Sequence, residues 1–302
     1  MTSNEIAVLA NPSAGRGRHR DLLPRIVKTL SRAGAVRILE AHSGPGAEQA
    51  CRAAVASGPA ALIAVGGDGT VHRALQAVAT SSVPFGVIPA GTGNDFAAGV
   101  GVPTDVFEAA SAIADAILAK RTTPVDLARM TPLAEASPDQ ERWFGAVLAG
   151  GFDALVNERA NRMRWPRGPR RYDLAILLEL ARLRPRVYEL EIDGADHGFT
   201  GMLVAVGNCA SYGGGMRILP GADPYDGLLD VVVAVPFGRL ALARLKPRLN
   251  RGTHVHDRRV RTFRASRIRL RSADIIGYAD GERVGPLELD ITCVPGAVRL
   301  LR

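Results

Sequence analysis

The sequence predicts two parts: an α/β N-terminal domain built on a parallel, helix-covered sheet, then a mainly β C-terminal domain of sandwich type. Three observations carry this. Up to Thr123, short continuous apolar runs alternate with stretches of helical spacing. Beyond it, strand-like runs follow one another between Gly, Pro and Asp. Glycine-rich segments also stand directly after three of the apolar runs in the first part.

Ile6–Ala10 is apolar throughout and stops at Asn-Pro, as a strand buried on both faces does before a turn. Leu22–Ala33 has helical spacing and Val36–Leu39 reads as a strand. Glu48–Ser57 is an alanine-rich helix, Ala61–Val65 a strand, Val71–Ala79 a helix, Pro84–Ile88 a strand and Asp105–Leu118 a helix. In the second part Pro124–Met130, Trp143–Ala149, Tyr188–Ile192, Gly201–Val206, Leu229–Val235 and Ile268–Arg271 read as strands. Tyr172–Leu183 and Arg239–Asn250 are the two helices expected there. The expected domains are 1–123 and 124–290, with 291–302 returning to the first because chain ends often tie onto a sheet.

The 302 residues are 47% hydrophobic and 23% charged, an ordinary globular composition. No apolar run approaches the roughly 18 residues of a membrane-spanning helix. Met1-Thr2-Ser3-Asn4-Glu5 lacks the layout of a signal peptide. Cys51, Cys209 and Cys293 stand far apart, without metal-ligand spacing. A reduced, cytoplasmic protein is expected. The formal charge of +8 favours anionic partners: nucleotide, nucleic acid or acidic lipid. An aromatic content of 5%, with no zinc-finger spacing or aromatic RNA-binding signature, argues against nucleic acid.

The three glycine-rich segments are Asn11-Pro12-Ser13-Ala14-Gly15-Arg16-Gly17, Gly66-Gly67-Asp68-Gly69-Thr70 and Pro89-Ala90-Gly91-Thr92-Gly93-Asn94-Asp95. Ligands of open parallel sheets bind beyond the carboxyl ends of the strands. Glycine there lets backbone N–H groups approach a phosphate. Each loop alone reads equally as a tight turn; three at equivalent strand ends read as one phosphate cradle. Neither the dinucleotide fingerprint nor the Lys-containing phosphate loop is present. Asp68 inside such a turn would be repelled by phosphate unless a cation lay between them, which makes it a metal-side residue. Asp223 and Asp226 share a Pro/Gly-rich turn, where two carboxylates invite a cation or serve as turn residues.

Gly66–Thr70 together with Pro89–Ala97 resembles the catalytic domain of the diacylglycerol kinase family. That family includes sphingosine and ceramide kinases and bacterial soluble lipid kinases. Gly151-Phe152-Asp153, Tyr212–Gly215, Asp223–Gly227 and Asp280-Gly281-Glu282 sit where the family places similar segments, and Asn157–Tyr172 resembles its actinobacterial branch. The resemblance covers essentially the whole chain and implies a fold like those of NAD kinases and diacylglycerol kinases. It also implies a nucleotide-binding catalytic domain, a β-rich lipid and metal domain, and transfer of phosphate from ATP to a lipid hydroxyl. Diacylglycerol, giving phosphatidic acid for phospholipid synthesis or recycling, is the first candidate substrate.

By this resemblance Glu282 is the general base and Asp68 is needed for activity. Mg²⁺ is held by Asp223, Asp226 and the carbonyl of Leu228. The nucleotide meets Asn11, Pro12, Ser13, Ala14 and Gly15; Gly66, Gly67, Asp68, Gly69, Thr70, Val71 and His72; and Gly91, Thr92, Asn94 and Asp95. Two departures stand out. His72 and Arg73 replace the Asn and Glu of many members, and His42 or Ser43 stands where the family has a nucleotide-contacting Thr.

Arg159, Arg162, Arg164, Arg167, Arg170 and Arg171 surround Met163 and Trp165, a composition suited to anionic headgroups at the inner face of the membrane. A second basic zone runs from Arg239 to Arg271 and includes Lys246. The sequence is compatible with a homodimer. The competing readings are another lipid kinase (for sphingosine, ceramide, monoacylglycerol or phosphatidylglycerol), an NAD kinase, and a non-catalytic nucleotide-gated or nucleic-acid-binding module. An NAD kinase accounts for Gly66–Thr70 but not for Pro89–Ala97 or the arginines around Trp165.

Overall fold

A computed structural model describes residues 4–10, 19–41, 43–133, 140–163, 165, 169–182, 184–236, 238 and 247–302. The chain divides into two compact units. The first comprises Met1–Leu127, Pro224–Gly227 and Val294–Arg302, and the second Ala128–Asp223 and Leu228–Cys293.

The first unit runs β1 (Glu5–Ala10), α1 (His19–Leu30), β2 (Ala35–Leu39), α2 (Gly44–Ala56), β3 (Ala61–Gly66), α3 (Asp68–Val78), β4 (Phe85–Pro89), α4 (Asp95–Gly99) and α5 (Val106–Leu118). Its strands are parallel in the order β4-β3-β1-β2. Every residue of β3 and β4 is buried, which is why their runs carry no polar alternation. β2 is an edge strand, largely exposed, and can afford Arg37. Ser43 caps α2 by accepting from Gly46 N, and Asp105 caps α5 by accepting from Phe107 N and Glu108 N. The chain end returns to this sheet: Leu300 pairs in parallel with Phe85, and Thr80 N donates to Ala297 O at 2.7 Å.

The second unit takes up β5 (Thr123–Pro132) partway along its length. It continues through β6 (Arg142–Phe144), β7 (Val147–Gly151), α6 (Phe152–Arg162), α7 (Pro169–Ala181), β8 (Arg186–Ile192), β9 (Ala195–Asp196), β10 (Phe199–Gly201), β11 (Leu203–Gly207), β12 (Leu229–Ala234), β13 (Val260–Ala265) and β14 (Arg267–Ala279). The last strand, β15 (Glu282–Leu300), begins here and ends in the first unit. Antiparallel pairing gives the order β13-β12-β11-β7-β14, with β14 also beside β8 and β15.

Two packed cores explain the apolar run Val231–Ala234 that follows Leu229 and Asp230 in β12. Leu229, Val231 and Val233 join Val204 and Val206 in one core; Val232 and Ala234 join Leu203, Ala205, Ile218 and Leu219 in the other. A strand covered on both faces has no polar side.

Three sequence expectations change. The expected strand Trp143–Ala149 is two strands broken at Gly145-Ala146. Phe152–Arg162, expected to be non-helical, is α6, with Phe152, Val156 and Ala160 buried four residues apart. Polar Asn157, Glu158 and Arg159 between them hide that spacing. The strand expected at Ile268–Arg271 is the middle of a 13-residue strand. Of the helix expected at Arg239–Asn250, residues 239–246 lie outside the described residues and 247–251 are helical.

Candidate active site

The carboxyl ends of β3 and β4 lie side by side, so the loops that follow must pass very closely. A Cβ on Gly91 would come within 2.4 Å of Gly67 Cα, a distance no side chain tolerates. Ala90 N donates to Gly66 O at 2.9 Å. A Cβ on Gly93 would fall 2.4 Å from Asp68 Oδ2. Two of the three glycine-rich segments are therefore one structure, and its glycines are set by backbone crowding.

Asp68 is the hub of that structure. It opens α3, and its carboxylate accepts from Asn94 N at 2.8 Å and Asp95 N at 2.7 Å. Asn94 adopts a left-handed conformation (φ +58°), and its side chain both accepts from Gly91 N and donates to Gly91 O. One carboxylate thus fastens the start of α3 to the start of α4. Gly67 precedes α3 and has no side chain to cap it, which leaves the amino end of an 11-residue helix without a side-chain cap among the described residues. Thr70, Val71 and His72 are buried in the first turns of α3, and Thr92 is exposed. Asn11, Pro12, Ser13, Ala14 and Gly15, and likewise His42, lie outside the described residues. Arg73 is half-buried, with its guanidinium against Gly44 at the start of α2.

The loop with the two expected metal carboxylates is anchored from within the first unit. Asp126, 4% exposed, accepts from Gly227 N and Gly296 N, both at 2.7 Å, and its own N–H donates to Pro224 O at 2.9 Å. Tyr225 Oη donates to Val100 O at 3.0 Å, and the Arg302 guanidinium donates to Tyr225 Oη at 2.8 Å. Sequence reasoning missed Asp126. Its signal is a carboxylate inside the apolar run Val125-Asp126-Leu127-Ala128, where burial demands compensating donors. Asp223 and Asp226 are exposed and Leu228 is half-buried; Asp226 belongs to the first unit, Asp223 and Leu228 to the second. Among the described residues, no group of three or more His, Cys, Asp or Glu side chains stands in metal-holding proximity.

Glu282 lies in the second unit at the start of β15, half-buried. Asp280 (φ +51°) and Gly281 (φ +81°) make the two-residue turn before it, the conformation that Asp-Gly favours between antiparallel strands. The Asp280 carboxylate accepts from Gly145 N at 3.0 Å and Ala146 N at 2.8 Å, while Asp280 N donates to Val147 O. The break between β6 and β7 therefore supplies two N–H groups that hold this turn.

α6 braces the same hairpin. Glu158 accepts from Tyr278 Oη at 2.6 Å, from Arg283 Nε at 3.3 Å and from Arg162. Tyr278, with Arg162 and Arg283 nearby, holds the Glu158 carboxyl below the usual carboxylate range, against the cost of burial. Asp153, in the first turn of α6, accepts from Tyr212 Oη; burial pushes its carboxyl up, and that hydrogen bond opposes the shift.

Known proteins resemble this chain along nearly its full length. Residues 5–130 match the diacylglycerol kinase catalytic domain, and residues 145–302 match the YegS C-terminal NAD kinase beta sandwich-like domain. The diacylglycerol kinase of Mycobacterium tuberculosis is 42% identical over 301 residues, 99% of this chain and 95% of its own length. A protein of Stenotrophomonas maltophilia named "Probable lipid kinase YegS-like" is 32% identical over 272 residues, 84% of this chain and 82% of its own. A crystal structure of a diacylglycerol kinase from Bacillus anthracis, 22% identical, superposes with a TM-score of 0.72 over 100% of this chain and 97% of that one, which supports the fold. An α/β unit with a glycine cradle around Asp68, a sandwich-like β unit with a braced Asp280–Glu282 turn, and relatives that match from end to end place this chain in the diacylglycerol kinase family of lipid kinases.

Proposed function

We propose that the protein transfers the γ-phosphate of ATP to the primary hydroxyl of diacylglycerol, forming phosphatidic acid for phospholipid synthesis or recycling. The observation that carries this reading is the joined loop pair around Asp68, in a chain 42% identical to a diacylglycerol kinase. Phosphoryl transfer needs a preorganised anion cradle, charge neutralisation and a base for the acceptor hydroxyl. Gly66, Gly67, Gly69 and Gly91, with the open end of α3, supply the cradle; Thr70, Val71, His72, Thr92, Asn94 and Asp95 complete its lining. Asn11–Gly15 is assigned to it by sequence alone. Asp68 acts on the metal–phosphate side.

The residues present suit Mg²⁺, which prefers oxygen ligands and keeps several waters. Asp223 and Asp226 offer exposed carboxylates in a loop whose backbone Asp126 pins, and Leu228 offers a carbonyl. When bound, Mg²⁺ neutralises the charge that develops in phosphoryl transfer. Glu282 accepts the proton of the lipid hydroxyl. Its turn is held by Asp280 and braced by Glu158, so the carboxylate is presented without a search. The protein works from the cytoplasmic side and docks transiently on anionic lipid. Among the described residues no helix is long and apolar enough to cross a membrane.

The test is a lipid-panel kinase assay with labelled ATP, Mg²⁺ and separation of products. Diacylglycerol, monoacylglycerol, ceramide, sphingosine, phosphatidylglycerol and NAD are offered separately. Phosphatidic acid is the expected main product, and Glu282→Gln should bind ATP while losing transfer. Full activity in that variant rejects the base assignment, and preferred phosphorylation of NAD or another lipid rejects the substrate.

A further inference from the structure

The lipid-kinase reading requires access to a substrate dissolved in a bilayer, and the inference that follows rests on that reading. α7 packs on α6 through Ala175 and Ile176, against Phe152, Val156 and Ala160. Arg159 and Glu179 join the two helices by an ion pair. Among the described residues its other side is uncovered: Leu177 is 62% exposed and Leu178 37%, with Ala181 exposed one turn on. A helix apolar on both sides is ordinarily covered on both.

This is not scatter. Of the seven large apolar side chains exposed among the described residues, four (Trp165, Leu177, Leu178 and Val187) fall between residues 165 and 187. The same stretch of sequence is rich in positive charge. Residues 159–187 contain nine arginines and two carboxylates, a net +7 in a chain whose whole formal charge is +8. Arg164 and Arg167 lie outside the described residues, as does the Arg170 side chain; Arg162, Arg182 and Arg184 are exposed.

We propose that α7 and its flanks form a membrane-docking face, in which Leu177 and Leu178, with Trp165 and Val187, enter the headgroup–acyl boundary of a bilayer while the surrounding arginines bind anionic headgroups. The charge selects this occupant. A second copy would set +7 against +7. Nucleic acid would satisfy the arginines, but its phosphate backbone offers nothing to exposed aliphatic side chains. An anionic bilayer satisfies both, since apolar burial and electrostatic attraction add in interfacial helices.

Two double variants test this: Leu177→Ser with Leu178→Ser, and Arg182→Glu with Arg184→Glu. Each is co-sedimented with vesicles of phosphatidylcholine alone or with about one third phosphatidylglycerol. Circular dichroism and thermal melting check folding. The unaltered protein should bind the anionic vesicles about tenfold more tightly than the neutral ones, and each variant should lose about tenfold in affinity for the anionic vesicles. The leucine variant should still phosphorylate a short-chain diacylglycerol dispersed as monomers at the normal rate. A folded leucine variant that binds vesicles normally overturns the proposal, as does an unaltered protein indifferent to anionic lipid. Sedimentation velocity showing a dimer that the leucine variant abolishes, with vesicle binding retained, assigns the face to a second copy instead. Vesicle binding is read without catalysis. Normal binding with no phosphorylated lipid therefore overturns the substrate reading alone, and phosphorylated lipid without binding overturns the docking face alone.

Discussion

Replacing Asp280 by Asn isolates what the carboxylate does for the turn that carries Glu282. Asn occupies the left-handed region as readily as Asp, so φ +51° is retained and the backbone raises no objection. What changes is the anchor. The two bonds from Gly145 N and Ala146 N go to a carboxylate, and hydrogen bonds to charged groups contribute about 1.5–3 kcal/mol each. Asn keeps one neutral bond, of about 1 kcal/mol, and turns an amide N–H toward the other donor. The difference is about 2–5 kcal/mol, and the partial exposure of Asp280 places it near 2.

Urea unfolding followed by tryptophan fluorescence should report that loss as a lower midpoint. Steady-state kinetics should show kcat down about tenfold or more with the KM for ATP unchanged, since the proposed nucleotide cradle lies on other elements. An Asp280→Asn protein with the original midpoint and the original kcat would refute the anchoring argument. A lowered midpoint with unchanged kcat would confine Asp280 to stability.

Two further outcomes follow from the geometry. Gly91→Ala places a methyl group 2.4 Å from Gly67 Cα, so the two loops must separate; overpacking of about 1–3 kcal/mol should appear as roughly tenfold weaker ATP binding by calorimetry, and unaltered binding would mean that the loops are free to part. Tyr212→Phe removes the hydrogen bond that opposes the raised pKa of Asp153. A carboxyl whose folded pKa lies above its unfolded value loses stability as pH rises between the two, so the native protein is penalised at pH 7 and relieved toward about pH 4. The variant should therefore lose more melting temperature at pH 7 than at about pH 4. Equal losses at both would show that Asp153 is not the group involved.

The sequence was informative wherever a local pattern had one physical cause. The α/β alternation up to Thr123 followed from strands buried on both faces, and β3 and β4 are buried at every residue. The Asp-Gly pair before Glu282 marked a turn because few residue pairs accept two positive φ angles. Glycine spacing marked the loops after β3 and β4, but could not say that they touch. That depends on which strands are neighbours, and strand order is a tertiary property.

The same limit hid the residues that hold the site. Asp68 reads in sequence as a metal-side residue, yet here it also accepts from Asn94 and Asp95, 26 and 27 residues away. Asp126 binds backbone at Gly227 and Gly296, so its partners lie 101 and 170 residues off. α6 escaped notice because its buried face is Phe152, Ala154, Val156 and Ala160, and two of the polar residues among them, Glu158 and Arg159, face Tyr278, Arg283 and α7. By itself the sequence determined most of the first unit's elements, where the glycine-rich loops lie and how much positive charge the chain carries. Only the tertiary structure decided which carboxylates fasten the loops and which leucines are left uncovered. Hydrogen bonds and burial join residues that are neighbours in space, and sequence patterns register neighbours along the chain.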